Sequence, residues 1–180
     1  ASAAAFYREA MRLDPDSGTV LESSFLVETA EGNFDRATEL AGKVVALQSN
    51  HRLGQIWLAT RAMKERNFKE AEERIAKATG GGPIGELTTT LARAWVKIAA
   101  GESVAATEML RNSRIADAAQ TYIRYHRALI SDLSGRRAEA AREYEAVFKQ
   151  DPRTPRLALA YAHHAASGGD LKLARAILKE

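Results

Sequence analysis

The sequence of 180 residues contains no cysteine, only four prolines and few aromatic residues, which make up 7% of it. Because cysteine is absent, the chain has no disulfide framework, no cysteine-ligated zinc or iron–sulfur site and no cysteine nucleophile. Its apolar stretches fall far short of the roughly 20 residues that span a bilayer. Residues 1–20 also lack the charged start and apolar core of a secretory signal peptide. These absences leave an ordinary globular or repeat protein that is not inserted into a membrane.

The net charge is also small, because 26 Lys and Arg residues are balanced by 23 Asp and Glu residues, leaving a formal charge of +3. The surplus lies in residues 91–180, which carry 15 basic and 10 acidic residues. Arginines interleaved with Tyr122 and Tyr125 are typical of single-stranded nucleic-acid binding. Acidic residues such as Glu139 and Glu143 lie among them, however, and favour a salt-bridged face exposed to solvent. We therefore expect no nucleic acid as a partner.

An internal repeat organises the rest of the sequence. Six alanines recur at spacings of 34, 34, 35, 34 and 34 residues, at Ala3, Ala37, Ala71, Ala106, Ala140 and Ala174. A turn signal precedes each of the last five, as in Gly32-Asn33 and Gly169-Asp170. Glycine is expected there because a helix commonly ends with a residue at positive φ. Between the turns the apolar residues keep helical spacing, so each unit is predicted to be a helix, a tight turn and a second helix.

The period of about 34 residues, with small residues at two fixed places and helix-ending Asp-Pro pairs at Asp14-Pro15 and Asp151-Pro152, resembles the tetratricopeptide repeat of bacterial proteins. The resemblance covers essentially the whole chain, although the family's large aromatic residue near the start of the first helix is missing in every unit. It implies an all-α fold, a right-handed α-solenoid of stacked antiparallel helix hairpins, in a single domain over residues 1–180. The repeats are predicted at 18–51, 52–86, 87–120 and 121–154, with partial repeats at 1–17 and 155–180.

The lone helix predicted in residues 1–17 has an apolar face with no first helix to cover it. That face carries Phe6, Tyr7, Met11 and Leu13. In repeat proteins each unit buries its apolar face against its neighbours, and the terminal units usually need a polar cap. We therefore expect either that this chain is a stretch of a longer array or that its ends pack on another copy.

Three sequence patterns resemble catalytic or ligand-binding motifs only in part. Gly80–Gly85 has the glycine spacing of a phosphate loop, but Glu86-Leu87 follows where lysine and serine or threonine are required. Gly101–Ala105 approaches a nucleophile elbow but ends in alanine and lies at a helix–helix turn. His163 and His164 are adjacent, so on a helix they point about 100° apart and cannot share a metal. The sequence therefore predicts no catalytic, cofactor-binding or metal-binding residue, and a flexible connector at Gly80–Gly85.

In the family's geometry, the stacked first helices line the concave wall of the superhelix. Mapped onto this chain, the middle of that wall is apolar and aromatic. The predicted groove residues are Ile56, Met63, Leu91, Trp95, Ile98, Tyr122, Tyr125 and Leu129. Such a surface is typical of a receptor for a peptide or a helix, because Trp and Tyr bury a large area at low entropy cost. An alternative interpretation places Trp95 and Ile98 in the core between hairpins.

The resemblance and the lack of catalytic motifs predict a non-enzymatic scaffold or adaptor, without cofactor, that binds a partner protein as a peptide or a helix in the concave groove. We expect the basic half of the chain to steer acidic segments toward that groove. Two alternatives are a structural spacer that self-assembles through its open ends and an RNA-binding helical repeat. The second lacks the polar base-reading pair that each of its units requires. The start Ala1-Ser2-Ala3-Ala4-Ala5 favours a periplasmic over a cytoplasmic location.

Overall fold

The computed structural model describes residues 3–115 and 119–179, and within these ranges the chain forms eleven α-helices and no strand. The helices are α1 (Ala3–Leu13), α2 (Gly18–Ala30), α3 (Phe34–Leu47), α4 (Arg52–Lys64), α5 (Phe68–Lys77), α6 (Gly82–Ala99), α7 (Ser103–Arg111), α8 (Gln120–Leu133), α9 (Arg137–Gln150), α10 (Pro155–Ser167) and α11 (Leu171–Ile177). The predicted all-α fold class is confirmed. Two compact units are present, residues 1–85 and 86–180. Ala1 and Ser2, which entered the prediction of location, lie outside the described residues.

The first unit packs its helices in chain order, with α1 against α2, α2 against α3, α3 against α4 and α4 against α5. The core between α2 and α3 contains Leu21, Phe25, Leu40, Ala41 and Val44, all at most 5% exposed. On α3 the buried residues Ala37, Leu40, Ala41 and Val44 recur with the helical period and form one side of this core. Consecutive hairpins that bury their apolar faces on one another are the arrangement expected of stacked repeats.

The second unit is built in the same way, because α7 to α11 pack in chain order and α10 also contacts α8. Its largest core surrounds Tyr144 on α9, which is 1% exposed and stacks on Tyr161 of α10 with ring centroids 5.6 Å apart. A second core joins α6, α7 and α8 through Ala94, Leu110 and Ile123. The first helices of neighbouring hairpins, α8 and α10, are therefore brought side by side.

The alanines that the repeat pattern places between paired helices are buried. Those at most 5% exposed are Ala59, Ala94, Ala128 and Ala162 in first helices and Ala37, Ala71, Ala106 and Ala140 in second helices. A small side chain at these places lets two helix backbones approach closely. In α2 the corresponding position holds Phe25, which is 2% exposed and contacts the ring of Trp57 edge-on.

The predicted turns between paired helices are confirmed by the backbone. Gly32, Gly101, Gly135 and Gly169 have φ values from 74° to 88°. Arg66 holds the same place in the remaining turn, with φ of 59°, and is the sole described residue other than glycine with positive φ. The turn geometry is thus set by the chain path rather than by glycine alone, although glycine adopts it without steric cost.

The segment Gly80–Gly85 is only partly the connector that the sequence predicts. Gly80 and Gly81 have φ of 83°, but α6 already begins at Gly82. The reason is Pro83, whose fixed φ and missing N–H suit the first turn of a helix. The glycine-rich connector is therefore shorter than predicted.

A buried carboxylate ties α1 to α2 in the first unit. Glu28 is 2% exposed and accepts hydrogen bonds from the Arg8 guanidinium, at 2.7 and 2.9 Å, and from the Asn33 amide at 2.6 Å. The hydrogen bond from Arg8 is the main cause that lowers the pKa of Glu28, and burial opposes it. The ionised form of Glu28 is therefore the one that the fold stabilises.

We expect the substitution Glu28→Gln to lower the free energy of unfolding at about pH 7 and to have little effect at about pH 3. Because the folded-state pKa is lowered, the ionised carboxylate stabilises the fold above the pKa of the unfolded chain, and this contribution is lost as the pH falls through the folded-state pKa. Urea unfolding at the two pH values measures the difference. Glu9→Gln is the matched control, because Glu9 lies in an exposed pair with Arg12 at 3.4 Å and should contribute little. An equal effect of Glu28→Gln at both pH values would contradict the prediction.

Candidate functional site

The first helices of the second unit contribute side chains to one cavity of about 450 Å³. Trp95 comes from α6 and Leu129 and Leu133 come from α8, while Ala160 and His163 come from α10. Asp132, Arg137, Tyr144 and Ser167 complete the lining. The cavity lies toward the ends of these helices, since Leu133 is the last residue of α8 and Ser167 the last residue of α10.

The apolar wall of the cavity is anchored in the protein core. Trp95 and Leu129 are half-buried, and each packs against buried clusters of the second unit. Leu133, at the border of the cavity, is 68% exposed. Trp95 therefore both packs on the core and lines the cavity.

Trp95 is held in place by a hydrogen bond to a histidine on the neighbouring first helix. Its indole Nε1 donates to Nδ1 of His126 at 2.9 Å, and the two ring centroids are 6.0 Å apart. The ring of Tyr125 also lies edge-on to the ring of His126, with the centroids 5.6 Å apart. Burial lowers the pKa of His126, which favours the neutral imidazole that can accept this hydrogen bond.

A second depression, of about 330 Å³, lies near the start of α8. Tyr122, 59% exposed, and the half-buried Tyr125 form one side, and Val147 and Leu157 are part of the rest. The Tyr125 hydroxyl donates to the backbone oxygen of Arg156 at 3.2 Å, and burial raises the pKa of Tyr125. Tyr122 has the larger exposed fraction and is the more accessible anchor.

A polar network fixes the border of the larger cavity. His164, which is 6% exposed, donates from Nδ1 to the Asp132 carboxylate at 2.8 Å. Arg137 donates to the backbone oxygen of His164 at 2.6 Å and to the hydroxyl of Ser167 at 3.2 Å. Burial is the main cause that raises the pKa of the adjacent Tyr144 far above its usual value. The network joins α8, α9 and α10, so the cavity border is held by three helices.

The predicted groove residues fall into separate places in the structure. Trp95 and Leu129 meet in the larger cavity, and Tyr122 and Tyr125 meet in the smaller depression. Leu91 and Ile98 are half-buried on α6 and pack against the core shared by α6, α7 and α8. Ile56 and Met63 are half-buried on α4 of the first unit.

Two of the nine residues that line the larger cavity, Trp95 and Leu129, are among the predicted groove residues. The other seven are not: Asp132, Leu133, Arg137, Tyr144, Ala160, His163 and Ser167. Leu133 lies four residues after Leu129 and therefore on the same face of α8, and this helical spacing is the signal that was available for it. Arg137 and Tyr144 come from α9, a second helix, and the mapping of first helices did not consider second helices.

The described parts of the chain contain neither a cluster suited to a metal ion nor a helix suited to a membrane. No group of three or more histidine or acidic residues there is placed to hold a metal ion. Among the helices of residues 3–115 and 119–179, none combines the length and the apolar character needed to cross a bilayer.

Comparison with solved structures finds the same fold over nearly the whole chain. A tetratricopeptide repeat protein from Parabacteroides merdae is 14% identical with a TM-score of 0.80, over 98% of this chain and 70% of that one. YrrB, a TPR protein described as having an unusual peptide-binding site, is 15% identical with a TM-score of 0.62, over 98% and 91%. The human IFIT1 dimer with m7Gppp-AAAA is 14% identical with a TM-score of 0.67, over 98% and 44%.

At these identities the likeness shows the fold alone. No family model matches the sequence, and no curated protein matches it significantly. The chain has the fold of tetratricopeptide-repeat proteins, and the resemblance drawn from the 34-residue period is thereby confirmed.

Proposed function

We propose that the second unit binds a segment of a partner protein, a peptide or a helix, in the cavity lined by α6, α8 and α10, and that the protein is a non-enzymatic scaffold. The observation that carries the proposal is the cavity of about 450 Å³, walled by Trp95 and Leu129 and bordered by the exposed Leu133. Its volume lies within the roughly 300–1,000 Å³ usual for ligand pockets. YrrB, which has the same fold, is described as having a peptide-binding site.

The two depressions on α8 fit the length of a short segment. Tyr122 and Leu133 lie eleven residues apart on this helix, which corresponds to about 16 Å along its axis. An extended peptide covers that distance with about five residues, and a helix with about eleven. A partner segment lying along α8 would therefore place one apolar side chain near Tyr122 and another in the cavity beside Trp95.

Charge favours a protein partner over RNA for this unit. IFIT1, which has the same fold, is seen with m7Gppp-AAAA, but several arginines of this unit are already paired with carboxylates. Arg127 and Arg124 approach Glu143, and Arg111 and Arg136 approach Glu139. Each of these carboxylates is shared by two arginines and reduces their attraction for phosphate, so RNA is the second candidate. The remaining positive surplus of residues 91–180 supports steering of an acidic segment.

The proposal has further parts outside the second unit. Ile56 and Met63 are proposed to contact a partner from the first unit. Self-association is the alternative use of the chain, and the exposure of Phe6 (76%) and Leu13 (79%) on α1 supports it. A periplasmic location remains part of the proposal, with the cytoplasm as the alternative.

We expect the substitution Leu133→Glu to weaken binding of a partner peptide by about 30-fold or more, the loss typical of an interface anchor worth roughly 2 kcal/mol. The side chain is 68% exposed, so glutamate should not disturb the fold, but it places a charge at the border of an apolar cavity. Peptides selected on the wild-type protein from a random displayed library supply the probe. Fluorescence anisotropy of one selected, labelled peptide then measures Kd for the wild type and the variant.

Leu171→Glu is the matched control for this experiment. Leu171 is 58% exposed on α11, where it lines neither depression described above, so the same change of charge should leave Kd within about twofold. Trp95→Ala should weaken binding at least as much as Leu133→Glu. Equal losses in Leu133→Glu and Leu171→Glu, or none in either cavity variant, would remove the cavity from the proposed function.

A further inference from the structure

The hydrogen bond between Trp95 and His126 fixes the protonation state of the histidine. The indole Nε1 of tryptophan can only donate, so the nitrogen that it meets at 2.9 Å must offer a lone pair. That nitrogen is Nδ1 of His126, and the imidazole is therefore neutral with its proton on Nε2. A protonated imidazole carries N–H groups at both nitrogens and cannot accept the bond.

A lower pH can therefore only weaken the hydrogen bond between Trp95 and His126. Because burial lowers the pKa of His126, the neutral ring is favoured at neutral pH, and the ring gains a proton at a lower pH than an exposed histidine does. Protonation turns Nδ1 into a donor that faces the indole N–H, and the hydrogen bond is lost. The indole then keeps its packing on the core but loses its single described polar contact.

The lowered pKa of His126 is explained by burial and not by a neighbouring charged group among the described residues. The elements packed against α8 carry these titratable or charged groups: Glu86, Arg93 and Lys97 on α6, Glu108 and Arg111 on α7, Arg137, Glu139, Arg142, Glu143, Tyr144, Glu145 and Lys149 on α9, and Arg156, Tyr161, His163 and His164 on α10. On α8 itself they are Tyr122, Arg124, Tyr125, Arg127 and Asp132. Burial is the one resolved cause of the lowered pKa of His126 among the described residues.

We propose that neutral His126 is the positioning residue of the cavity: it holds the Trp95 indole in the wall, and its protonation releases the indole and weakens binding of a partner segment. The part that concerns binding rests on the proposed function, whereas the part that concerns Trp95 does not. Ring contacts support the binding part, because the centroid of His126 lies 6.0 Å from that of Trp95, which lines the cavity, and 5.6 Å from that of Tyr125, which lines the smaller depression. The site is therefore open to control by pH.

The two tryptophans of the chain make the test internally controlled. Trp57 Nε1 donates to the Thr38 hydroxyl at 3.0 Å, an acceptor that does not titrate in this range. In ¹H–¹⁵N NMR spectra of the full chain, the indole signals of Trp57 and Trp95 are assigned with Trp57→Phe and followed between about pH 7.5 and about pH 5. We expect the Trp95 signal to move and to exchange faster with water as the pH falls. The Trp57 signal should stay in place.

His126→Asn is the variant that separates positioning from simple packing. Asparagine offers an acceptor oxygen near the place of Nδ1 and does not titrate, so the Trp95 signal should become independent of pH while the indole stays ordered. A Trp95 signal that does not respond to pH in the wild type would overturn the proposal, and so would an equal response in His126→Asn. The wild-type titration needs no substitution at His126, so misfolding of the variant would leave the first of these outcomes decisive.

The selected peptide used above tests the consequence for binding. We expect its Kd to weaken about tenfold between about pH 7.5 and about pH 5 in the wild type, as for loss of one buried hydrogen bond, and to change little in His126→Asn. Equal pH dependence of Kd in both proteins would overturn the regulatory part of the inference. If no peptide binds at any pH while the Trp95 signal still titrates, the proposed function fails and the positioning role of His126 stands.

Discussion

Replacing Tyr144 by alanine is expected to lower the free energy of unfolding by about 3–5 kcal/mol, as for other large buried aromatic residues. Tyr144 is 1% exposed and contacts two other rings. Its ring stacks on Tyr161 at 5.6 Å with an interplanar angle of 19°, and it lies 5.4 Å from the ring of His164. Truncation leaves a cavity between α9 and α10 that the rigid helix pair cannot fill. Urea unfolding followed by circular dichroism measures the loss.

Two control substitutions test whether that loss of stability comes from removing a buried ring. Tyr144→Phe keeps the ring, and the structure records no hydrogen bond of the hydroxyl among the described residues, so the cost should stay below about 1 kcal/mol. Tyr122→Ala removes the same side chain from a place where it is 59% exposed, and it should also cost less than about 1 kcal/mol. A loss in Tyr144→Ala no larger than in Tyr122→Ala would show that this core does not support the second unit.

The sequence predicts most of the fold because the repeat pattern is made of local signals. Glycine at Gly32 and Gly135 marks turns at positive φ, and alanines such as Ala94 and Ala128 mark places where two helices approach. Each signal recurs in several repeats, so an ambiguous signal in one repeat is interpreted from its counterparts in the others. The start of α6 was not predicted, since the spacing of 35 residues between Ala71 and Ala106 includes one extra residue, and the glycine-rich Gly80–Gly85 has no counterpart in the other repeats.

The candidate site was predictable only in part, because its geometry depends on contacts between neighbouring hairpins of the second unit. Trp95 and His126 are 31 residues apart, and no local pattern indicates that the indole donates to Nδ1. The mapping also missed Leu133 and Ala160, since the cavity lies where α8 and α10 come close, which depends on how neighbouring hairpins pack. Periodicity therefore gives the helices that contribute, and side-chain packing decides which residues are accessible.

Two residues at the same position of the repeat differ in how much of the side chain is exposed. Phe6 on α1 and Leu40 on α3 are 34 residues apart and hold the same position in the repeat. Leu40 is 0% exposed, because α2 covers that face of α3, whereas Phe6 is 76% exposed. The same place in the pattern is therefore a core position in one helix and a surface position in the other.

We expect Leu40→Ala to lower the free energy of unfolding by about 2–5 kcal/mol and Phe6→Ala to change it by less than about 0.5 kcal/mol, although phenylalanine is the larger residue. The difference follows from burial alone, because truncation of Leu40 removes contacts and leaves a void among Leu21, Phe25 and Val44. Urea unfolding of both variants, at a dilute and at a higher protein concentration, measures it. If Phe6→Ala costs as much as Leu40→Ala, then the face of α1 is covered in solution, and self-association through that helix becomes the better account of its apolar residues. A concentration-dependent loss in Phe6→Ala would identify a second copy as the cover, since association stabilises by mass action.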